Sequence, residues 1–287
     1  MRLDGKRAVV TGASRGLGRA VAEAFLREGA SVLICARNTD DLDPTLRLLD
    51  ESAPGRVFGS RCDVALEADV DALVLETEKR LGGVDILVAN AGIYGPKGRV
   101  EDVEWDEWTE TIRINLIGAV YCCRAFLPML KQTTGGKILL LSGGGATKPM
   151  PFLSAYAASK AGIVRFGETL AHELEPFGID VNMIAPGALN TGMLDEILEA
   201  GPEKVGEAYY KSAQKQKESG GSSVDQATAM CVHLASLAAR TITGRLISAQ
   251  WDPWRRLETL SAELTPTDIY TLRRIIPGER GKDWDLQ

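Results

Sequence analysis

The chain has 287 residues, of which 45% are hydrophobic and 25% are charged, and its formal net charge is −6 at pH 7. This composition is typical of a globular protein with a sizeable core and excludes an intrinsically disordered chain. The acidic balance argues against a broad surface for nucleic acid or anionic membranes. We expect one domain, because a helix-covered α/β sheet can absorb this length.

Two further features bear on where the protein works. Residues 1–12 lack the apolar run of a signal peptide, and we find no later stretch of the roughly 18 apolar residues that a membrane span requires. We therefore expect a cytoplasmic protein with no membrane partner and no nucleic-acid partner. The 5 cysteines show no Cys-x-x-Cys or Cys/His ligand spacing, so we interpret them as reduced and expect no metal site.

Along the chain, apolar runs alternate with amphipathic segments of helix length. Seven runs are predicted strands, at residues 6–11, 31–36, 56–62, 84–91, 136–142, 179–185 and 244–249. The main helices are predicted at 17–28, 40–51, 66–81, 105–131, 154–176 and 224–238. This alternation is typical of βαβ units, and near-continuous apolar strands suit a sheet buried on both faces. The pattern predicts an α/β fold, a doubly wound seven-stranded parallel sheet in a single domain.

Two segments depart from this regularity. Residues 188–223 are polar, helix-prone and bounded by glycines, which indicates a lid over a site. Residues 1–250 would then form the catalytic unit including this lid. Residues 251–287 would form a C-terminal extension, packed on the same domain or on a neighbouring subunit, with a short helix at 266–275. Its three tryptophans suggest a subunit contact, and they are Trp251, Trp254 and Trp284.

The first predicted strand runs into a glycine-rich turn and then a helix. The turn reads Thr11-Gly12-Ala13-Ser14-Arg15-Gly16-Leu17-Gly18. Glycines let the backbone approach a ligand closely, and the N–H groups and dipole of a helix N-terminus favour a pyrophosphate. A turn of this kind also serves plain packing of a helix against a strand, so the motif alone leaves both interpretations open.

Two asparagines follow in positions that propensity does not explain. The run Asn90-Ala91-Gly92 closes the fourth predicted strand, and ligands bind outside the carboxyl ends of strands in open α/β sheets. Asn115 lies inside the next predicted helix although asparagine is a weak helix former. We expect its side chain to contact a backbone group or a water. The alternative is a helix kink.

Tyr156 and Lys160 stand four residues apart near the start of a long predicted helix, so both side chains share one face. A cation beside the phenol stabilises the phenolate and lowers the tyrosine pKa from about 10. The phenol could then donate and recover a proton near neutral pH. By itself, a tyrosine and a lysine at this spacing are also ordinary on a surface helix.

Together these motifs resemble the short-chain dehydrogenase/reductase family, over roughly residues 4–250. The matching positions are 11–18, 90–92, Asn115, Tyr156 with Lys160, and Pro186-Gly187 followed by Thr191. The resemblance implies a Rossmann-like fold, a nicotinamide cofactor, and a homodimer or homotetramer. It also implies that Tyr156 is the acid/base, that Lys160 holds the nicotinamide ribose and depresses the tyrosine pKa, and that Asn115 anchors a water relay.

The resemblance further implies a cofactor site, in which Asp63 meets the adenine and Thr191 lies near the carboxamide. Its expected members are Gly12, Ser14, Arg15, Gly16, Leu17, Gly18, Arg37, Asp63, Val64, Asn90, Ala91, Gly92, Tyr156, Lys160, Pro186, Gly187 and Thr191. Members that prefer NADP, such as 3-oxoacyl-carrier-protein reductases and sugar or alcohol dehydrogenases, are the most similar in pattern.

The end of the second predicted strand bears on the choice of cofactor. Members that prefer NAD carry an acidic residue there for the ribose 2′-hydroxyl, and this chain has Ala36. Arg37 and Arg15 can instead pair with a 2′-phosphate, which a planar guanidinium suits well. We therefore predict NADP(H). The alternative is that both arginines are merely solvated and that Asp40 or Asp41 reaches back to the ribose.

One departure from the family pattern concerns the catalytic serine, which lies thirteen residues before the tyrosine. That position is Gly143 here, and Ser142 is one place too early. The three glycines after Ser142 bend freely, so we hypothesise that its hydroxyl still reaches the substrate carbonyl. Backbone N–H groups could polarise the carbonyl instead. Reduced or altered chemistry is the third possibility.

The sequence thus predicts an NADP(H)-dependent oxidoreductase that transfers hydride between nicotinamide and a small carbonyl or secondary alcohol. Tyr156 would protonate the nascent alkoxide in the reductive direction. Two other functions stay open, an epimerase or dehydratase that retains its nicotinamide and a non-catalytic NADP-binding regulator. The mixed polarity of residues 188–223 suits a small polar substrate, a sugar or a carrier-bound acyl group about equally.

Overall fold

The computed structural model describes residues 1–238 and 240–284. Its centre is one sheet with the strand order β3-β2-β1-β4-β5-β6-β7, in which every neighbouring pair is parallel. The strands are β1 Arg7–Thr11, β2 Ser31–Ala36, β3 Val57–Arg61, β4 Ile86–Ala89, β5 Lys137–Leu141, β6 Asp180–Ala185 and β7 Arg245–Ser248. The predicted seven-stranded parallel sheet is confirmed. The strand order reverses between β1 and β4, where a ligand crevice is expected.

Helices cover both faces of the sheet. They are α1 Gly16–Arg27, α2 Thr39–Ser52, α3 Glu67–Leu81, α4 Trp105–Ile112, α5 Ala119–Leu130, α6 Ser154–Leu174, α7 Gly192–Val205, α8 Glu207–Ser219, α9 Val224–Ser236 and α10 Leu257–Leu264. Consecutive strand residues enter opposite cores. Val9 packs in the core shared with Phe126, whereas Val10 packs in the core shared with Phe25. Burial of both faces explains why the strands read as continuous apolar runs.

The helices α4 and α5 form one continuous helix through a six-residue π-helical segment, Arg113–Gly118. By its length and a mean hydropathy of 1.3 this helix is apolar enough to span a membrane, contrary to our expectation from the sequence, but 44% of its most apolar part is buried inside the protein. Phe126 and Cys123 on its inner face are fully buried in the core. That packing is typical of a core helix.

The segment 188–223 folds as the helix pair α7 and α8, and its two ends meet where Leu189 pairs with Ser222. The helix α7 is interrupted at Gly201, which has a φ of 76°. A non-glycine residue rarely adopts that conformation, so the glycine allows the kink. The segment lies between β6 and α9, as the sequence analysis expected of a lid.

The C-terminal extension differs from its prediction in two ways. The prediction of a helix at 266–275 is wrong. The helix of the extension is α10, which lies earlier in the chain. The backbone of 266–275 bonds to other elements, since Tyr270 O accepts from Leu246 N and Leu272 N donates to the Glu168 carboxylate. A subunit contact through all three tryptophans would require each of them to be exposed, and this is wrong for Trp254, which is only 3% exposed within its own chain. Residues 285–287 of the predicted extension lie outside the described residues.

Candidate active site

The glycine-rich turn after β1 is tied to the segment after β4. The Thr11 hydroxyl accepts hydrogen bonds from the backbone N–H groups of Asn90 and Ala91, at 3.0 and 3.1 Å. In return, Asn90 Nδ2 donates to Thr11 O and Gly12 O. A Cβ at Gly12, whose φ is 63°, would lie 2.7 Å from Ala91 Cα. The two motifs are therefore one structural unit, and Asn90 holds it together.

The helix α1 begins inside this turn, at Gly16. Among the described residues no side chain caps its N-terminus, and its first turn carries no acidic residue. The free N–H groups and the positive end of the helix dipole therefore suit a pyrophosphate, the group expected there. Gly18 faces Asn90, and the position of a Cβ on Gly16 lies 3.8 Å from Thr191 Cγ2. The loop after β6 thus approaches the same turn.

The remaining predicted cofactor residues lie along the same carboxyl edge of the sheet. Asp63 Oδ1 accepts from Ala65 N in the turn after β3, and Val64 is buried against the helix at Gly118. Five other members lie just after the ends of three strands. Ser14 and Leu17 follow β1, Gly92 follows β4, and Pro186 and Gly187 follow β6. The predicted residues are thus gathered at one edge although the first and last of them, Gly12 and Thr191, are 179 positions apart in the chain.

The end of β2 lies against the glycine-rich turn through a 3.0 Å hydrogen bond from Ala13 N to Cys35 O. Arg15 and Arg37 each stand two residues beyond that bond, and both are exposed. Ala36 closes the strand and is buried. Two guanidinium groups therefore flank the edge where β2 meets the turn, and β2 itself ends without a carboxylate.

Asn115 lies in the π-helical segment, where its side chain makes two hydrogen bonds to one backbone unit. Asn115 Oδ1 accepts from Ile93 N, and Asn115 Nδ2 donates to Ile93 O, both at 2.8 Å. Asn115 Nδ2 also donates to Ser159 Oγ, which donates to Tyr156 O. The backbone contact expected of Asn115 is found. It joins the segment after β4 to the helix that carries Tyr156.

Tyr156 and Lys160 lie on the buried face of α6. Lys160 Nζ donates to Leu141 O at 2.8 Å and lies 5.7 Å from the centre of the Tyr156 ring. Burial lowers the pKa of Lys160 to about 8. Burial, helped by Tyr209, raises the pKa of Tyr156 well above its ordinary value. The pKa of the phenol therefore moves in the direction opposite to the one that the resemblance implied, because desolvation dominates in this structure.

The position of the expected catalytic serine faces Tyr156. A Cβ at Gly143 would lie only 2.3 Å from Tyr156 Oη. Gly143 is in extended backbone, in which consecutive side chains point to opposite sides. Ser142 is buried, and among the described residues its hydroxyl has no hydrogen-bond partner. The structure thus does not bring the Ser142 hydroxyl to Tyr156, and the catalytic role of Ser142 stays a prediction.

The lid covers Tyr156 with apolar and aromatic side chains. We call this group the lid cluster, and its buried members are Leu153, Tyr156, Leu194, Ile197, Val205 and Ala213. Tyr94 and Tyr209 pack against it, and the rings of Tyr94 and Tyr156 are 4.7 Å apart with a tilt of 58°. Our sequence analysis missed Tyr94, although it follows the Asn90 motif directly, and it missed Ser159.

An ion pair at the rim joins the lid to the loop after β4. Lys97 Nζ bonds Glu196 Oε2 of α7 at 2.9 Å and also donates to Gly95 O. The Lys97 side chain is only 17% exposed, so the lid is packed down on this loop. The structure therefore shows the lid closed, with Tyr156 only 8% exposed beneath it.

Comparisons with known proteins agree with this geometry. The family model for short chain dehydrogenase matches residues 6–201. The chain is similar to a 3beta-hydroxysteroid dehydrogenase of Mediterraneibacter gnavus, with 31% identity over 264 residues that cover 86% of this chain and 94% of the relative.

Two solved structures differ in the cofactor they contain. An NADPH-bound short-chain oxidoreductase from Pseudomonas aeruginosa PAO1, described as having an atypical catalytic center, is 30% identical with a TM-score of 0.75, covering 86% of this chain and 97% of its own. An NAD+-bound xylitol dehydrogenase is 25% identical with a TM-score of 0.78, covering 86% and 98%. The similar proteins therefore include binders of either nicotinamide cofactor.

Proposed function

Because the chain belongs to the short-chain dehydrogenase family, we propose that it transfers hydride between NADP(H) and a small carbonyl or secondary alcohol, with Tyr156 as the acid/base. The observation that carries this proposal is the position of Tyr156 and Lys160. They lie together under the lid, joined through Asn115 to the strand-end motif at Asn90. We further propose that the enzyme is cytoplasmic and works as a homodimer or homotetramer.

The cofactor supplies the hydride in the reductive direction and accepts it in the other. The N-terminus of α1 and the glycine-rich turn have the free N–H groups to hold its pyrophosphate. Gly12 keeps a side chain out of the contact with Ala91, so the backbone can approach closely. Arg15 and Arg37 supply the charge for a 2′-phosphate, which supports NADP(H) over NAD(H).

The protein's own contribution is to handle the proton. Tyr156, whose pKa is raised by burial, stays protonated at neutral pH and can give its proton to the oxygen of the reduced carbonyl. Once that proton has left, the Lys160 ammonium is the cation nearest to the phenolate ring and stabilises it. Asn115 positions the pair by tying α6 to the segment after β4. The lid excludes water from the proton transfer.

The deciding experiment is a panel of carbonyls and alcohols, with NADPH or NADP+ consumption followed by absorbance. We expect turnover by the wild type, none by Tyr156→Phe, and equal NADPH affinity in calorimetry, because the substitution removes only the proton donor. Matched assays with NADH should show weaker binding. Turnover without net cofactor oxidation would instead indicate an epimerase or dehydratase. Tight NADPH binding without any turnover would indicate a regulator.

A further inference from the structure

The reaction proposed above needs a second hydrogen-bond donor at the substrate oxygen. Negative charge develops on that oxygen during hydride addition, and preorganised donors stabilise it. The position that resembles the family serine is Gly143, which has no hydroxyl, and its Cβ direction ends at Tyr156 Oη. Ser142 carries the neighbouring hydroxyl, which is buried and forms no hydrogen bond among the described residues. The expected donor is therefore missing from its usual place.

A serine at position 143 could not be accommodated without moving Tyr156. A Cβ there would lie 2.3 Å from Tyr156 Oη, which is shorter than any ordinary contact. The phenol thus occupies space that the serine would need. With Tyr156 in this place a side chain at position 143 is excluded, and a second donor has to be a backbone N–H group of the glycine loop or a side chain of another element.

Tyr94 is a hydroxyl-bearing side chain of another element that packs beside Tyr156. Its ring packs 4.7 Å from the Tyr156 ring, on the side where the lid cluster closes. The backbone just before Tyr94 is held rigidly, since both hydrogen-bonding groups of Ile93 bond to Asn115. Tyr94 is therefore preorganised beside the proposed acid.

We propose that Tyr94 is a catalytic residue that donates a hydrogen bond to the substrate oxygen, in the role of the absent serine. The inference rests on the proposed oxidoreductase function. In the reductive direction, hydride adds to the carbonyl carbon, the C=O π electrons move to oxygen, and the Tyr156 proton bonds to that oxygen. Tyr94 keeps its proton throughout and only polarises the bond.

Burial of Tyr94 is consistent with a role as a hydrogen-bond donor that keeps its proton. Burial, with Tyr209 and Tyr156 nearby, raises the pKa of Tyr94 far above its ordinary value. A phenol that does not ionise is a lasting donor and a poor acid. No cation is among the groups that shift the pKa of either phenol, but the Lys160 ammonium lies 5.7 Å from the centre of the Tyr156 ring.

The test is Tyr94→Phe, which keeps the ring packing and removes only the hydroxyl. We expect kcat to fall by about a hundredfold, as for the loss of one preorganised donor, with KM and NADPH affinity little changed. The kinetic isotope effect with deuterated NADPH should become larger on kcat, because hydride transfer becomes slower. Thermal unfolding should be the same as in the wild type. A purely structural role would move the unfolding temperature and leave the isotope effect unchanged.

Two matched variants complete the test. Tyr210→Phe removes a phenol hydroxyl from the same lid cluster and should leave kcat unchanged. A large loss of kcat in Ser142→Ala with none in Tyr94→Phe would overturn the inference in favour of Ser142. An active wild type that is insensitive to Tyr94→Phe contradicts this inference alone. A wild type that reduces or oxidises nothing in the panel contradicts the proposed function, and the inference with it.

Discussion

At the scale of single residues, the preference for one nicotinamide cofactor depends on two exposed arginines beside the glycine-rich turn. Replacing Arg37→Asp together with Arg15→Ser removes both guanidinium groups and adds a repelling carboxylate. We expect NADPH binding to weaken by about 1.5–3 kcal/mol for each charge-assisted bond lost. Calorimetry with NADPH and NADH measures this.

A matched control for the cofactor prediction is Arg27→Ser. Arg27 is also exposed, but it ends α1, roughly 15 Å from the N-terminus that faces the turn. This control should bind NADPH as the wild type does. Tighter binding of NADH than of NADPH by the wild type would contradict the NADP(H) assignment and favour the alternative through Asp40 or Asp41.

Lys160 makes a second prediction at this scale, because its charge is buried. The folded pKa is about 8 against an ordinary 10.5, so below pH 8 the folded protein holds an ammonium that water would solvate better. At about 1.4 kcal/mol per pKa unit, burying the Lys160 ammonium destabilises the folded protein by about 3 kcal/mol. A variant without the ammonium is relieved of this cost but loses the hydrogen bond to Leu141, which is worth about 1 kcal/mol. We expect Lys160→Met to be inactive but about 2 kcal/mol more stable at pH 7.

The stability difference between the wild type and Lys160→Met should change with pH in a defined direction. The unfolded chain binds the Lys160 proton up to about pH 10.5, whereas the folded protein releases it near pH 8. Wild-type stability relative to Lys160→Met therefore rises with pH between these two values, and the advantage of the variant disappears at the upper end. Urea unfolding of both proteins without cofactor at pH 7 and pH 10 measures the difference. An equal difference at both pH values would show that desolvation of the ammonium is not its cause.

At the scale of elements, the helix from α4 to α5 shows how a functional residue alters regular structure. Asn115 lies in the π-helical segment that interrupts this helix, and its side chain satisfies the backbone of Ile93. π-Helical turns occur often at functional sites. Sequence propensity marked Asn115 as a poor helix former, but the identity of its partner depends on how the helix lies against the loop after β4.

The lid is a second element whose position only contacts decide. Its helices were indicated by composition, but the ion pair from Lys97 to Glu196 and the packing of Tyr209 place it over Tyr156. A partly exposed pair of this kind contributes about 1 kcal/mol or less. The ion pair therefore adds little to the cost of opening the lid, and the buried side chains of the lid cluster account for most of that cost.

At the scale of the whole molecule, the C-terminal extension completes the core. Trp254, Leu257 and Leu264 are buried in it, and the Arg245 guanidinium of β7 donates to carbonyls of the extension. Each fully buried side chain of this size contributes about 1.5–3 kcal/mol. Their sum is comparable to the entire net stability of a domain, about 5–15 kcal/mol.

Truncation after Asp252 should therefore leave a protein that is insoluble or lacks cooperative unfolding. The control is truncation after Ile276, which removes a stretch whose described residues are mostly exposed. That shorter truncation should keep the wild-type unfolding temperature. Calorimetric scans of both measure this, and a cooperative transition at the wild-type temperature after the longer truncation would contradict the role of the extension. The homodimer or homotetramer stays a prediction, now without Trp254 as an exposed contact.

The sequence by itself determined the fold class and most of the candidate site. Strand-length apolar runs alternating with helices specify a parallel sheet, because local periodicity follows directly from which faces are buried. The motifs at Gly12, Asn90 and Tyr156 could be recognised in the sequence because each follows a strand or begins a helix. The parallel topology then brings the ends of the strands to one edge of the sheet.

Only the tertiary structure decided how those residues meet. The direction of the Gly143 Cβ toward Tyr156, the orientation of Ser142 and the packing of Tyr94 depend on the relative placement of β5, α6 and the loop after β4. The raised pKa of Tyr156 arises from burial under the lid, which lies far along the chain, and the lowered pKa of Lys160 arises from burial beside Leu141 of β5. Periodicity describes one element at a time, whereas desolvation and side-chain contact depend on elements that are distant in sequence.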